Sequence, residues 1–344
     1  MKVGFVYDPI YLKHDTGLHV ENGRRLEAII ACLEQPNLKH QLTTVQPRAA
    51  SLEELSSVHQ RQYISYVQNV AQEGGGWLDA DTTISPDSCE VALYAAGGAM
   101  MATEAVMTGE VMSSFALVRP PGHHATSGQA MGFCLFNNVA IAAKYALANH
   151  KLQRILIIDF DVHHGNGTQE AFYDNPQVLY ISTHQFPLYP GTGSIEETGT
   201  GKAKGTNINI PLPAGCGDRE YLQVFEQVVL PAARRFKPEL ILVSAGYDAH
   251  WADQLAMMQV SITGYARVVT IIKELAEELC NGRLVLTLEG GYNLRALSYS
   301  VTATFDILLG NTDRTDPLGQ SPRQFADPNI TPLIKAVRET HYLP

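Results

Sequence analysis

Arg154-Ile-Leu-Ile-Ile158 leads directly into Asp159-Phe-Asp-Val-His-His-Gly-Asn166. An uninterrupted Ile/Leu run of this length is typical of a strand that is buried on both faces of a parallel sheet. In extended backbone, residues two apart point to the same side, so Asp159, Asp161 and His163 can project together. Carboxylate and imidazole donors suit a borderline divalent metal such as zinc. A polar surface turn is disfavoured, because burying carboxylates at the end of a core strand is costly unless something pairs with them.

The bulk composition is that of an ordinary globular chain. Of the 344 residues, 45% are hydrophobic and 17% are charged, as in soluble proteins. The net charge of −10 argues against a nucleic-acid partner. The five cysteines form no CxxC pair, which predicts a reduced, cytoplasmic protein. No segment predicts a signal peptide or a membrane span.

Strand-like and helix-like segments alternate along the chain. The predicted strands are Val3–Tyr7, Ser114–Val118, Arg154–Asp159, Val178–Thr183, Leu240–Ser244 and Leu284–Leu288. The predicted helices lie near Gly23–Glu34, Glu90–Met107, Asn138–Asn149, Arg219–Phe236 and Thr263–Cys280. Ser261 or Thr263 is the expected N-cap of the last helix. This alternation predicts an α/β fold, a mostly parallel sheet with helices on both faces. We expect one domain over residues 1–344, with loops at Gly74–Gly76 and Pro187–Gly205.

Polar clusters follow four of the predicted strands. The clusters are Arg119-Pro-Pro-Gly-His-His124, Asp159–Asn166, Ser244-Ala-Gly-Tyr-Asp248 and Glu289-Gly-Gly-Tyr292. Because parallel strands end at a shared edge, outside which ligands bind, these clusters are expected to meet. One cluster alone would be a weak signal, whereas four at the same topological position indicate a site.

The residue types in these clusters suit one reaction class. Asp161, His163 and Asp248 are candidate ligands of a catalytic zinc, which takes three protein ligands and keeps a position for water and substrate. The neighbouring His123 and His124 are candidate proton-transfer groups. These types and positions predict metal-assisted hydrolysis of an amide or ester.

Three further residues have candidate supporting roles in this reaction. Asp159 and Asn166 can orient the imidazoles of the two candidate proton-transfer histidines by accepting a ring N–H. Tyr292, on a Gly-Gly turn, can donate its hydroxyl to a developing oxyanion.

Simpler interpretations of single residues stay open. Asp248 could cap a helix, and Gly290-Gly291 could be a helix-entry turn after which Tyr292 packs as a half-buried aromatic. Five other histidines are more often structural than metal-binding: His14, His19, His59, His184 and His250.

At these motifs the chain resembles the zinc-dependent histone deacetylase family, including its bacterial and class II-like members and the acetylpolyamine amidohydrolases. The shared motifs are Arg119-Pro-Pro-Gly-His-His-Ala125, Gly132-Phe-Cys134, Asp159-Phe-Asp-Val-His-His-Gly-Asn-Gly-Thr-Gln169, Pro190-Gly-Thr-Gly193, Ser244-Ala-Gly-Tyr-Asp-Ala249 and Glu289-Gly-Gly-Tyr292. They follow the family's order across most of the chain, so the match is very specific. The resemblance implies the arginase/deacetylase fold, a single α/β domain around a central parallel sheet.

The resemblance also implies roles for the site residues. Asp161, His163 and Asp248 become the zinc ligands. His124 becomes the general base and acid, paired with Asn166. His123, paired with Asp159, becomes the partner of His124 in proton transfer and charge stabilisation. Tyr292 would polarise the substrate carbonyl.

A substrate channel and a second ion are implied as well. Gly132, Phe133 and Tyr189 would line a narrow channel for the alkyl chain of an acetylated amine, although core packing is the competing interpretation of both aromatics. A structural potassium ion is implied beside Asp159 and Ser182.

The chain departs from the family pattern at a few positions. Val20 and Gly23 replace two prolines of the family's His-Pro-Glu-x-Pro-x-Arg-Leu element. Asn166 stands where many class I members carry Asp, as in the class II-like pattern. Leu255 stands where polyamine-selective eukaryotic members carry an acidic gatekeeper, and an apolar residue there favours acetyl-lysine peptides over acetylpolyamines.

The predicted reaction is therefore the release of acetate from an acetylated lysine peptide or a small acetylated amine. The alternatives are an acetylpolyamine or other small-molecule amidohydrolase, a non-catalytic binder of acylated amines, and a binuclear manganese hydrolase of the same fold. Few extra carboxylates lie beside the candidate ligands, which disfavours the binuclear site. Fe²⁺ or Co²⁺ would also suit these ligands, and the sequence favours no particular oligomeric state.

Overall fold

The computed structural model describes residues 2–34, 36–311, 315–322 and 328–344. Within these ranges the strands are β1 (Val3–Val6), β2 (Leu42–Thr44), β3 (Gly76–Trp77), β4 (Thr83–Ile84), β5 (Ser113–Ala116), β6 (Ile155–Asp159), β7 (Val178–Gln185), β8 (Asn207–Leu212), β9 (Leu240–Ala245) and β10 (Leu284–Leu288). All six predicted strands are present, although β5 begins one residue before the predicted Ser114–Val118 and ends two residues earlier.

Eight strands of the described chain build one sheet in the order β2-β1-β5-β10-β9-β6-β7-β8, and every neighbouring pair is parallel. The four strands that carry polar clusters, β5, β10, β9 and β6, are consecutive in this order. All five residues of β6 are buried, as expected for a central strand of a parallel sheet. The four polar clusters therefore emerge side by side at one edge.

The helices of the described residues are α1 (Arg24–Leu33), α2 (Pro36–Lys39), α3 (Leu52–Ser56), α4 (Arg61–Gln72), α5 (Ser88–Met107), α6 (Asn138–Asn149), α7 (Asn166–Phe172), α8 (Asp218–Val224), α9 (Leu230–Phe236), α10 (Ile262–Cys280), α11 (Leu294–Leu309) and α12 (Thr331–Thr340). Helices α5 and α6 pack on each other and contact β5 and β9, whereas α1, α10 and α11 form a second group that contacts β1 and β9. The predicted α/β class, a parallel sheet surrounded by helices, is confirmed.

The predicted helices also form, with two refinements. Ser261 is the N-cap of α10, because its hydroxyl accepts the Gly264 N–H at 3.0 Å, while Thr263 lies inside the helix. The predicted helix Arg219–Phe236 consists of α8 and α9 joined by a π-helical turn at Phe225–Val229. In the described part of the chain, no helix has the length and hydropathy needed to cross a bilayer.

The sequence interpretation missed the outer strands and one hairpin. Strand β8 contains Asn207, Asn209 and Pro211, and its proline is tolerated because β8 lies at the sheet edge. Strand β2 has three residues, too few for a periodic signal. Gly76 pairs with Ile84 in the antiparallel hairpin of β3 and β4, so the predicted loop is wrong at that residue.

Two glycines of α5 bring the N-terminal segment close to the polar edge of the sheet. A Cβ on Gly97 would overlap the Arg48 carbonyl, and a Cβ on Gly98 would lie 2.6 Å from the Tyr11 hydroxyl. The Tyr11 carbonyl in turn accepts a hydrogen bond from Arg119 Nη1 at 2.9 Å. The close approach permitted by these glycines therefore places the segment around Tyr11 beside the loop that follows β5.

His59 lies in the fold as a neutral imidazole, and we expect it to make stability depend on pH. Its Nδ1 lies 2.8 Å from the Thr126 carbonyl and its Nε2 accepts the Asn137 N–H at 2.9 Å. Burial lowers the pKa of His59 from 6.5 to about 4. Between these values the unfolded chain binds a proton that the folded chain does not, so the stability from this group is complete above pH 6.5 and is lost as the pH falls towards 4.

Urea titrations at several pH values measure this effect. The free energy of unfolding of His59→Gln should fall less steeply than that of the unsubstituted chain between pH 6.5 and 5, by up to about 1.4 kcal/mol per pH unit. Other buried histidines contribute to both slopes, so the difference between the slopes isolates His59. If the free energy of unfolding depends equally on pH in the two proteins, then His59 has the same pKa in the folded and the unfolded chain, and the prediction is wrong.

Candidate active site

Asp161, His163 and Asp248 meet at the polar edge of the sheet. One donor atom from each lies within 4.8 Å of the other two. His163 Nδ1 is 3.1 Å from Asp161 Oδ1 and 3.2 Å from Asp248 Oδ2. Two of these residues follow β6 and one follows neighbouring β9, so the strand order brings them together. Gly246 permits the approach, because a Cβ there would overlap the Asp161 carboxylate.

The donor set fits a zinc ion. Both carboxylates are fully buried, and burial together with the Asp161 charge raises the pKa of Asp248 to about 6. Among the described residues Asp248 Oδ2 makes no hydrogen bond of good geometry, although His163 Nδ1 lies 3.2 Å away. The other oxygen, Oδ1, accepts the Val162 N–H at 3.0 Å. A buried carboxylate oxygen of this kind needs a cation beside it. Asp248 caps no helix, since the next helix begins at Ile262.

His123 and His124 lie beside this group. Their ring centroids are 4.0 Å apart, and the His124 ring is 5.9 Å from that of His163. His123 Nδ1 is 3.1 Å from Asp159 Oδ2, and His124 Nδ1 is 2.8 Å from Asn166 Oδ1. The structure thus places the carboxylate of β6 and the first residue of α7 against the two imidazoles.

The two imidazoles have opposite electrostatic surroundings. Burial lowers the pKa of His124 well below its usual value, and the nearby His123 and His163 add to this effect. Burial alone would also lower the pKa of His123, but Asp161 and Asp159 outweigh it and raise the pKa to about 10. The pair can therefore combine a neutral imidazole that accepts a proton with a cationic one that stabilises negative charge.

Tyr292 lies after the Gly290-Gly291 turn that follows β10. Its backbone N–H donates to Asp253 Oδ2 at 2.7 Å, and the Arg25 guanidinium lies 5.0 Å from its ring centroid. Burial raises the pKa of Tyr292 well above its usual value, so the hydroxyl keeps its proton and can donate it in a hydrogen bond. The Gly290-Gly291 turn does precede α11, but the N-cap of that helix is Asn293.

Phe133 and Gly132 form a turn beside the His124 ring. Both have left-handed backbone, with φ of 69° and 56°. A Cβ on Gly132 would overlap the His124 ring. Thr82 Oγ1 and Asp81 Oδ1 accept the N–H groups of Phe133 and Gly132 at 3.1 and 3.2 Å. These contacts hold the strained turn in place.

Tyr189 and Leu255 lie on two other loops near these residues. The Tyr189 ring lies 5.1 Å from that of His124, and Tyr189 is 37% exposed. Half-buried Leu255 donates its N–H to Asp253 Oδ1 at 3.1 Å, on the carboxylate that also holds Tyr292. The Tyr189 ring thus packs edge-on against His124, and the Leu255 turn shares the Asp253 carboxylate with Tyr292.

The other histidines divide between core and rim. His14, His59, His184 and His250 are buried and bonded to neighbours outside the metal-ligand group. The His19 ring, in contrast, packs edge-on against Phe133 at a centroid distance of 4.5 Å. His19 also lies outside the candidate metal ligands, as expected, and its ring lies beside Phe133.

A buried ionic group, which was not assigned a role from the sequence, ties the N-terminal segment to this site. Arg119 makes two 2.8 Å hydrogen bonds to the Glu21 carboxylate, which also accepts from Arg25 at 3.1 Å. Arg25 donates to the Gly291 carbonyl at 2.7 Å. All three side chains are fully buried. Glu21 and Arg25 are four residues apart, but Arg119 lies 98 residues from Glu21, so the ion pair that joins the two segments is seen only in the tertiary structure.

Comparisons with known proteins agree with this architecture. Residues 19–308 match the family described as histone deacetylase domain. Histone deacetylase 14, chloroplastic, of Arabidopsis thaliana is 41% identical over 96% of this chain and 83% of its own length. A probable deacetylase of Archaeoglobus fulgidus is 42% identical over 87% of this chain and 84% of its own. The solved HDA15 HD domain has a TM-score of 0.87 and 36% identity, covering 98% of this chain and 93% of that one. The chain belongs to the histone deacetylase family of hydrolytic deacetylases.

Proposed function

We propose that this protein releases acetate from N-acetylated primary amines, in particular from acetyl-lysine side chains in peptides, with one zinc ion per chain. The observation that carries the proposal is the convergence of Asp161, His163 and Asp248 within 4.8 Å, beside two histidines that each have Nδ1 bonded to a side-chain oxygen. Three protein donors and an adjacent proton acceptor are what a hydrolytic zinc site requires.

The protein residues divide the work of hydrolysis. Asp161, His163 and Asp248 would hold the zinc, which when bound acidifies water and polarises the substrate carbonyl. With Nδ1 of His124 donating to Asn166, Nε2 is left to take the proton of the attacking water and return it to the departing amine. His123, held cationic between Asp159 and Asp161, stabilises developing negative charge. The Tyr292 hydroxyl donates a hydrogen bond to the carbonyl oxygen.

The channel supports an alkyl amine as the leaving group. Phe133 and Tyr189 offer apolar ring faces to a methylene chain, and Phe133 also contacts Tyr292 edge-on at a centroid distance of 5.7 Å. Leu255 supplies no charge for a distal ammonium group, which favours an acetyl-lysine peptide over an acetylpolyamine. The potassium ion implied beside Asp159 and Ser182 stays a prediction. Both residues are buried register partners on β6 and β7, and Ser182 Oγ already lies 2.9 Å from His184 Nδ1.

A substrate panel tests the proposal at Leu255. We expect kcat/KM to be highest for an acetyl-lysine peptide and lower for acetylputrescine and acetylspermidine. Leu255→Glu should raise kcat/KM for acetylspermidine about fivefold, the effect of one solvent-accessible ion pair, and should not raise it for the peptide.

Leu255→Gln is the matched control, because it has the size of Glu without the charge, and it should give no gain with acetylspermidine. Acetylpolyamines as the preferred substrates of the unsubstituted chain would refute the peptide assignment. Binding of acetylated amines without any product would instead identify a non-catalytic binder.

A further inference from the structure

Glu289 is a fully buried carboxylate directly after β10. Its Oε2 accepts the backbone N–H of Gly122 at 2.6 Å and that of His123 at 3.2 Å. The side chain thus crosses from the end of β10 to the loop after the neighbouring β5. That loop carries both imidazoles of the site.

The backbone beside Glu289 is itself held firmly. Its N–H donates to the Ala245 carbonyl at 3.0 Å, and its carbonyl accepts from Arg25. The next residue, Gly290, donates its N–H to Asp161 Oδ2 at 2.8 Å. A carboxylate anchored in this way can hold the loop of residues 119–124, called here the histidine loop, in one position.

The histidine loop has few other attachments on its N–H side. Pro120 and Pro121 provide no backbone donor, so the N–H groups of Gly122 and His123 are the first donors that follow Arg119. On the acceptor side the loop is held separately, because the His123 carbonyl accepts from Gly167 and Thr168, each at 3.1 Å. The N–H groups of Gly122 and His123, which donate to Glu289, therefore hold the donor side of the loop.

We propose that Glu289 is a positioning residue, whose carboxylate sets the place of the His123–His124 pair by binding the two backbone N–H groups before the imidazoles. This inference rests on the proposed hydrolysis for its effect on rate. A displacement of about 1 Å in catalytic geometry can cost on the order of 10²-fold in rate. The hydrogen bonds and the length of the Glu289 side chain should therefore determine the rate, whereas its negative charge should matter less.

Two substitutions separate reach from charge. Glu289→Gln keeps the length of the side chain and an oxygen acceptor but removes the charge. Glu289→Asp keeps the charge but is one methylene too short to hold both donors. We expect the kcat of Glu289→Asp to fall about 10²-fold, with KM and zinc content unchanged. The kcat of Glu289→Gln should stay within about threefold of that of the unsubstituted chain, because one hydrogen-bond acceptor replaces another.

The matched control is Glu220→Asp. Glu220 is also buried and accepts a backbone N–H, that of Gly217 at 3.0 Å, but it lies at the start of α8. This variant measures the cost of shortening a buried glutamate outside the site, and its kcat should be unchanged. The inference is overturned if Glu289→Asp keeps full kcat, or if Glu289→Gln falls as far as Glu289→Asp.

Hydrogen exchange provides a readout that does not depend on turnover. The amides of Gly122 and His123 should exchange faster in Glu289→Asp than in the unsubstituted chain and should stay protected in Glu289→Gln. Equal protection in all three would overturn the inference even if the enzyme is active. If the unsubstituted chain shows no hydrolysis but the three proteins show the expected differences in exchange, the proposed function is refuted and the contact between Glu289 and the loop still stands.

Discussion

Removal of bound metal by a chelator will reduce hydrolysis of a fluorogenic acetyl-lysine peptide by more than about 10³-fold, because several kcal/mol of transition-state stabilisation depend on the ion. The expectation follows from the buried donors of Asp161, His163 and Asp248, which lie within 4.8 Å of one another. One equivalent of Zn²⁺ should restore the activity. Mg²⁺ should not, because it requires octahedral oxygen ligation and retains its waters.

Asp248→Asn provides a second test of the metal site. The amide has the shape of the carboxylate but lacks its charge, so metal analysis should show weaker zinc retention together with lower kcat. Full turnover by metal-free protein would refute the zinc proposal. Two metal ions per chain would revive the binuclear hydrolase.

His124→Ala will lower kcat by about 10²–10⁴-fold, the usual contribution of a positioned proton-transfer group. The ring that is removed is the one whose pKa is lowered by burial and whose Nδ1 is bonded to Asn166. Zinc content should stay at one per chain, because His124 is not among the three candidate ligands. Steady-state kinetics and metal analysis on the same preparation check both statements.

The same substitution at His341 controls for the loss of a buried histidine. His341 is 2% exposed and lies just after α12, among residues such as Arg235 outside the catalytic edge. His341→Ala should therefore retain kcat even if the protein becomes less stable. A His124→Ala variant with the kcat of His341→Ala would exclude His124 from proton transfer.

Much of the site could be predicted because its residues follow recognisable strands. Asp161 and His163 are two residues apart after a continuous Ile/Leu run, so extended geometry alone places them on one side. Tyr292 and Asp248 also follow strands, and the motifs carry a strong family resemblance. The turn at Gly132 and Phe133 is harder to predict in full. Asp81 and Thr82, whose side chains accept its N–H groups, lie in a segment without a strand or helix signal.

Side-chain periodicity and turn chemistry depend on neighbours in sequence, and for that reason the strand type, the candidate metal-binding residues and the family resemblance are all visible in the sequence. The order β5-β10-β9-β6 is set by packing between segments far apart in the chain, such as Ser113 and Leu284, which no local pattern encodes. Only the tertiary structure therefore decided that Glu289 reaches the histidine loop and that Glu21 joins Arg25 to Arg119. Burial makes such contacts necessary, since a buried charge or backbone donor without a partner is costly wherever the fold places it.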